Sequence, residues 1–147
     1  MELYPAVIVH GLDDAIAALS RAAAVDASVT LLSAPGAALY AGCGWWLALV
    51  KVARETNPNV PCIDLLDCAD GTGRAFEALR IGLPRLVLWP TAPGRDAVVA
   101  IAEARGGFVL AAAPLTEAGL RHSSGAPRGD CSVPAMRENG DKSGEPG

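Results

Sequence analysis

Five short apolar runs punctuate this chain, and a helical stretch follows each of the first four. They are Ala6–His10, Val29–Ser33, Cys62–Leu66, Arg85–Trp89 and Gly107–Ala111, with starts 23, 33, 23 and 22 residues apart. Parallel strands need a crossover of a dozen or more residues, usually a helix, and this spacing leaves room for one each time. The runs are continuous rather than alternating, as expected for strands covered on both faces. The expectation is a three-layer αβα sandwich around a five-stranded, mainly parallel sheet. Asp64 inside strand 3 argues for an edge position and the Rossmann-like order 3-2-1-4-5. The flavodoxin-like order 2-1-3-4-5 is the main rival, and a partial (β/α) barrel is third.

The intervening segments read as helices. Asp13 is placed to cap the first, whose buried stripe is Ile16, Leu19 and Ala23. The second, about 37–56, is apolar all round until Lys51, and small residues recur four apart at Ala37/Ala41, Ala38/Gly42 and Gly44/Ala48. Trp45 and Trp46 point about 100° apart on a helix, so one core face does not hold both. An all-round apolar helix is central in a core or shared with another chain. The expectation is a homo-oligomer through this helix near Trp45 and Trp46. A third helix after Gly71-Thr72-Gly73 is expected to bury Ala75, Phe76 and Leu79 and to stop at Gly82. A fourth, Asp96–Arg105, is expected to bury Val99, Ile101 and Ala102.

Composition narrows the function classes. The net charge is -4, with no basic stripe, which argues against nucleic acid and anionic membrane surfaces. Residues 27–50 carry no charge, a length that spans a bilayer, but Pro35-Gly36 breaks the run, so no membrane span is expected. Met1–Pro5 has no targeting character, and Cys43, Cys62, Cys68 and Cys131 form no CxxC. Reduced thiols in a cytoplasmic protein are the expectation. Residues 1–121 read as one domain. Residues 122–147, rich in Gly, Ser and Pro, read as a disordered tail.

In an open parallel sheet, ligands bind beyond the carboxyl ends of the strands. That rule selects His10–Asp14, Ser33–Gly36, Asp67–Gly73 and Pro90–Gly94. His10, Asp67 and Asp70 are the candidate catalytic residues, His10 as base or proton donor. Asp67 and Asp70 also suit Mg²⁺, whose ligands are oxygens. Ser33 and Gly36, with Gly71, Thr72 and Gly73, are the candidate anion-binding set, through a hydroxyl and open helix amides. The plainer alternative is that Asp70 or Thr72 caps a helix and the glycines make turns. Cys68 lies beside Asp67 and Asp70, which disfavour a thiolate. Tyr40 and Trp89 read as packing residues. No complete catalytic set is present, so an oligomeric binding or regulatory module is the leading reading, with a small-molecule lyase or hydrolase as the alternative.

Two resemblances add to this. Asp64-Leu65-Leu66-Asp67, Val87–Thr91, Gly107-Phe108-Val109 and Pro114-Leu115-Thr116-Glu117 resemble a degenerate response-regulator receiver domain. The likeness implies Asp67 as phosphoacceptor and Thr91 as the partnering hydroxyl. Strand 1 ends in His10-Gly11 where receivers carry acidic residues, and Ala112 or Ala113 stands where they carry lysine, so what it implies is a pseudo-receiver. The Ser-Ala-Pro-Gly turn, the Gly-Trp helix and the Asp-Cys-x-Asp loop are also similar to those of small uncharacterised bacterial α/β proteins, over residues 6–112. That likeness implies a fold and no activity.

Overall fold

The computed structural model describes residues 3–116. The chain alternates β1 (Ala6–Val9), α1 (Leu12–Ala24), β2 (Val29–Ser33), α2 (Ala37–Tyr40), α3 (Cys43–Thr56), β3 (Cys62–Asp67), α4 (Thr72–Ile81), β4 (Arg85–Val87), α5 (Arg95–Ala104) and β5 (Phe108–Leu110). The expected α/β class with a five-stranded sheet is what forms, and every strand pairing is parallel. The expected tail and Cys131 lie outside the described residues, as does most of an anticipated last helical turn at 115–121.

The strand order is β1-β2-β3-β4-β5. This replaces both 3-2-1-4-5 and 2-1-3-4-5. Each new strand is added at the same edge, and right-handed crossovers then carry successive helices to the same face. Accordingly α1 packs on α3, α3 on α4 and α4 on α5, as a single row. Alternate strand residues serve two separate clusters. Val9, Val29, Leu31, Leu66, Leu86 and Leu88 pack with the helices. Leu32, Leu65 and Val87, with Phe108 and Leu110, form a second cluster of their own.

The chain after β5 returns to the opposite edge of the sheet. Leu110 ends β5 at one edge of the sheet, and six residues later Thr116 makes a parallel bridge to Ala6 in β1. Six extended residues reach about 20 Å. Five strand spacings of about 4.8 Å, the path from β5 to a position beyond β1, exceed that in a flat sheet. The sheet therefore curls until its edges approach, with helices outside, the arrangement of an arc of a (β/α) barrel.

Asp64 misleads as an edge marker. It lies in β3, the central strand, and is 3% exposed. Arg54 and Arg85 each place a terminal guanidinium nitrogen 2.8 Å from its Oδ1. A buried carboxylate so paired is tolerated in a central strand, whereas an unpaired one is not.

The long apolar helix is also two helices. Gly42 adopts φ +91, a conformation that favours glycine, and separates α2 from α3. Trp46 is completely buried in the main core, with its Nε1 lacking a partner, while Trp45 is half-buried beside it at a centroid distance of 5.9 Å. Trp46 is therefore core and cannot be an interface residue. Ala75 and Leu79 are buried as expected, with Ala78, whereas Phe76, expected inside, is 39% exposed. In α1 the inward stripe is Ala15, Ala18, Leu19 and Ala22, and in α5 it is Val98 and Ala102. Tyr40 and Trp89 are exposed rather than packed.

Close approach at the β4–β5 entry explains one glycine. A Cβ on Gly107 would lie 2.0 Å from the Pro84 carbonyl oxygen, which itself accepts the Phe108 N–H at 3.0 Å. Gly107→Ala is expected to destabilise the fold by about 1–3 kcal/mol through overpacking, read as a lower urea midpoint at unchanged slope.

Candidate functional site

The carboxyl ends of the strands form the rim at which the sequence places its candidates. Two of them meet there. The Asp67 backbone N–H donates to Ser33 Oγ at 2.9 Å, and that hydroxyl donates to the Ala34 carbonyl at 3.2 Å. Asp67 Oδ1 accepts the Ala69 N–H at 2.8 Å, an Asx turn closing the end of β3. Ser33 and Asp67 are both buried, so this cross-strand pair joins β2 to β3 from inside. Ala69 sits at φ +49, a left-handed conformation unusual for alanine. Its carbonyl accepts the Trp89 N–H at 2.8 Å, which ties the same loop to the end of β4. The Gly71 N–H closes the turn by donating to the Cys68 carbonyl at 2.8 Å.

The remaining candidates do not join that pair. His10 is exposed, and its backbone N–H donates to Asp14 Oδ2 at 3.0 Å. Asp70 is exposed, with its carbonyl accepting the Thr72 N–H. Gly36, at φ +67, opens only the four-residue α2. The Thr72 hydroxyl donates to the Pro93 carbonyl, and Gly73 lies in the first turn of α4. Among the described residues no group of three or more His, Cys, Asp and Glu side chains is placed to hold a metal ion.

The expected caps are corrected. Gly11, Gly36, Gly42, Gly71 and Gly94 occupy the cap positions of the five helices, none with a side-chain capping bond. Asp13 lies inside α1 rather than at its cap. Asp13 and Asp14 instead place negative charge in the first turn, where the helix dipole favours it. Asp70 and Thr72 likewise do not cap α4, since the Thr72 hydroxyl is turned to the loop before α5.

Among the described residues, burial favours the protonated form of all three thiols. Burial, then the neighbouring Cys43 and Asp67, push the Cys68 thiol up to about 12. Burial leads the upward shift at Cys43 as well, ahead of Glu77, and the Cys43 Sγ lies 3.3 Å from the Arg74 carbonyl. Cys62 is raised by burial against the opposing pull of Arg54. Adjacency to carboxylates was the signal visible in sequence, but desolvation is the larger cause.

A second surface lies on the outer side of the helical row. Leu12 of α1 and Trp45, Ala48, Leu49 and Val52 of α3 line one shallow apolar groove. Leu12 is 37% and Val52 43% exposed, and no charged residue lines the groove. No protein-family model matches the chain, and no curated protein matches it.

Two measurements check the rim. Ser33→Ala leaves the buried Asp67 amide without its acceptor and is expected to cost about 1–3 kcal/mol in urea unfolding. The Cys68 shift makes stability depend on alkaline pH. Below the ordinary thiol value of 9.0 both folded and unfolded states keep the proton. Between there and about 12 only the unfolded chain loses it, so stability falls as pH rises through this window. Cys68→Ala is expected to flatten that decline.

Proposed function

We propose that this chain is a non-catalytic binding module that works as a homo-oligomer, two copies meeting on the α1–α3 face. The observation that carries this reading is the uncharged apolar groove around Trp45, with exposed Leu12 and Val52 on its walls. Contiguous exposed apolar surface costs solubility unless it is covered. A second copy is the occupant argued for. A face without charge opposes no like charge when it meets itself in a two-fold contact, whereas the chain as a whole carries a net charge of -4. The expected cytoplasmic location is consistent with the absence, among the described residues, of a helix long and apolar enough to cross a membrane.

The rim supports catalysis less well. A lyase or hydrolase working through His10, Asp67 and Asp70 needs a carboxylate open to substrate. Asp67 is instead 4% exposed, with one oxygen committed to the Ala69 amide. The same burial weighs against phosphorylation of Asp67 in a pseudo-receiver, and the strand order departs from the 2-1-3-4-5 that such a domain implies. A rim anion near Gly36 and Gly71–Gly73 remains part of the binding-module reading.

Light scattering after size exclusion tests the oligomer directly. The unaltered chain is expected to elute as a dimer. Val52→Glu, which places charge in the groove without touching the buried face of α3, is expected to yield monomers with unchanged circular dichroism. A strict monomer at high protein concentration would overturn the reading.

A further inference from the structure

Three basic side chains, Lys51, Arg54 and Arg85, meet away from the rim, near the amino ends of β3 and β4. There a cavity of about 300 Å³ opens between α3 and the turn that links α4 to β4. From α3 it takes Leu47, Val50, Lys51 and Arg54, a stripe at helical spacing that is apolar first and basic last. Across from it stand Asp64, Gly82, Leu83 and Arg85.

The two arginines are held in place by one carboxylate. Arg54 Nη2 donates to Asp64 Oδ1 at 2.8 Å and to the Cys62 carbonyl at 3.1 Å. Arg85 donates through Nη2 to the same Oδ1 at 2.8 Å, and through Nε to the Asp64 carbonyl at 3.2 Å. Among the described residues, Nε and Nη1 of Arg54 and Nη1 of Arg85 make no hydrogen bond to a carboxylate or carbonyl, although Arg54 also interacts with the Cys62 thiol. Lys51 makes no ion pair among the described residues. Three cations and the one carboxylate of Asp64 line the cavity, a surplus of two positive charges, and its other walls are Leu47, Val50, Gly82 and Leu83.

We propose that this cavity is a binding site for a small organic dianion, a phosphate monoester with a short apolar body. The guanidinium N–H groups not turned to Asp64 are charge-assisted donors to the oxygens of a tetrahedral oxyanion, and Lys51 adds a point charge. The doubled surplus selects a dianion over a monocarboxylate, and Leu47, Val50 and Leu83 take the apolar group. Because Asp64 already orients both arginines, little side-chain ordering remains to be done on binding. The site is independent of the α1–α3 groove and of self-association.

The test is titration of the isotope-labelled full chain with phenyl phosphate, followed by amide chemical shifts at low ionic strength. Saturable shifts are expected at 50–54 and 83–85, with tighter binding than for inorganic phosphate or benzoate. Lys51→Met, which breaks no ion pair, is expected to weaken binding about tenfold, or ~1.4 kcal/mol. Arg74→Met removes an exposed arginine elsewhere and is expected to leave binding unchanged. Absence of saturable shifts in these segments overturns the proposal, as does equal weakening by both variants. Inorganic phosphate binding as tightly as phenyl phosphate overturns the apolar subsite.

Discussion

Handedness of the crossover is the constraint from which most of this molecule follows. A parallel pair joined through a helix is right-handed in nearly all proteins, because strand twist and helix packing agree only that way. When every strand is added at the same edge, that rule sends every crossover helix to the same face. One face of the sheet is then buried under α1, α3, α4 and α5, and the other needs a different cover. Here the sheet curls and the chain after β5 returns to β1 at Thr116. The alanine-rich inner stripes of the helices fit this arrangement, since small side chains let a row of helices sit close to a curved sheet.

How much of this was legible in the sequence depends on whether the information was local. Strand positions were, because a buried parallel strand is a short apolar run bounded by turn residues, and all five runs form strands within two residues of their read bounds. Strand order was not, because it depends on which edge each unit joins. Asp64 shows why the one clue failed. Its charge is neutralised by Arg54, ten residues before it, and by Arg85, 21 after it, and neither partner is visible from the strand itself. The break at Gly42 was obscured for a related reason. Apolar periodicity runs through 37–56, and only a positive φ at one glycine divides it.

The rim divides along the same line. Its location follows from the fold, and the sequence picked Ser33 and Asp67 from it. What those residues do was set by a contact across 34 residues of chain, in which the serine hydroxyl serves the Asp67 amide. Polar side chains at strand ends read as ligands when considered singly, and as a stitch between β2 and β3 when seen together. Lys51, Arg54 and Arg85 were passed over for the opposite reason. Each looks like an ordinary surface charge, and their cavity exists only where α3, β3 and the start of β4 meet.

The charge balance around Asp64 carries a final consequence. Neutralising one buried carboxylate needs one guanidinium, and a second on the same oxygen brings two like charges together. That repulsion is eased by solvent, since the Arg54 side chain is 42% and the Arg85 side chain 26% exposed. Replacing a whole buried ion pair or triad by apolar residues is often neutral or stabilising, whereas removing one partner alone is costly. Under the proposal above, negative charge entering the cavity offsets the repulsion among Arg54, Arg85 and Lys51. Ligand binding and folding are then linked, because whatever binds the folded state alone raises its stability. The arginines that hold the central strand are, on this argument, the same groups that make the cavity selective for an anion.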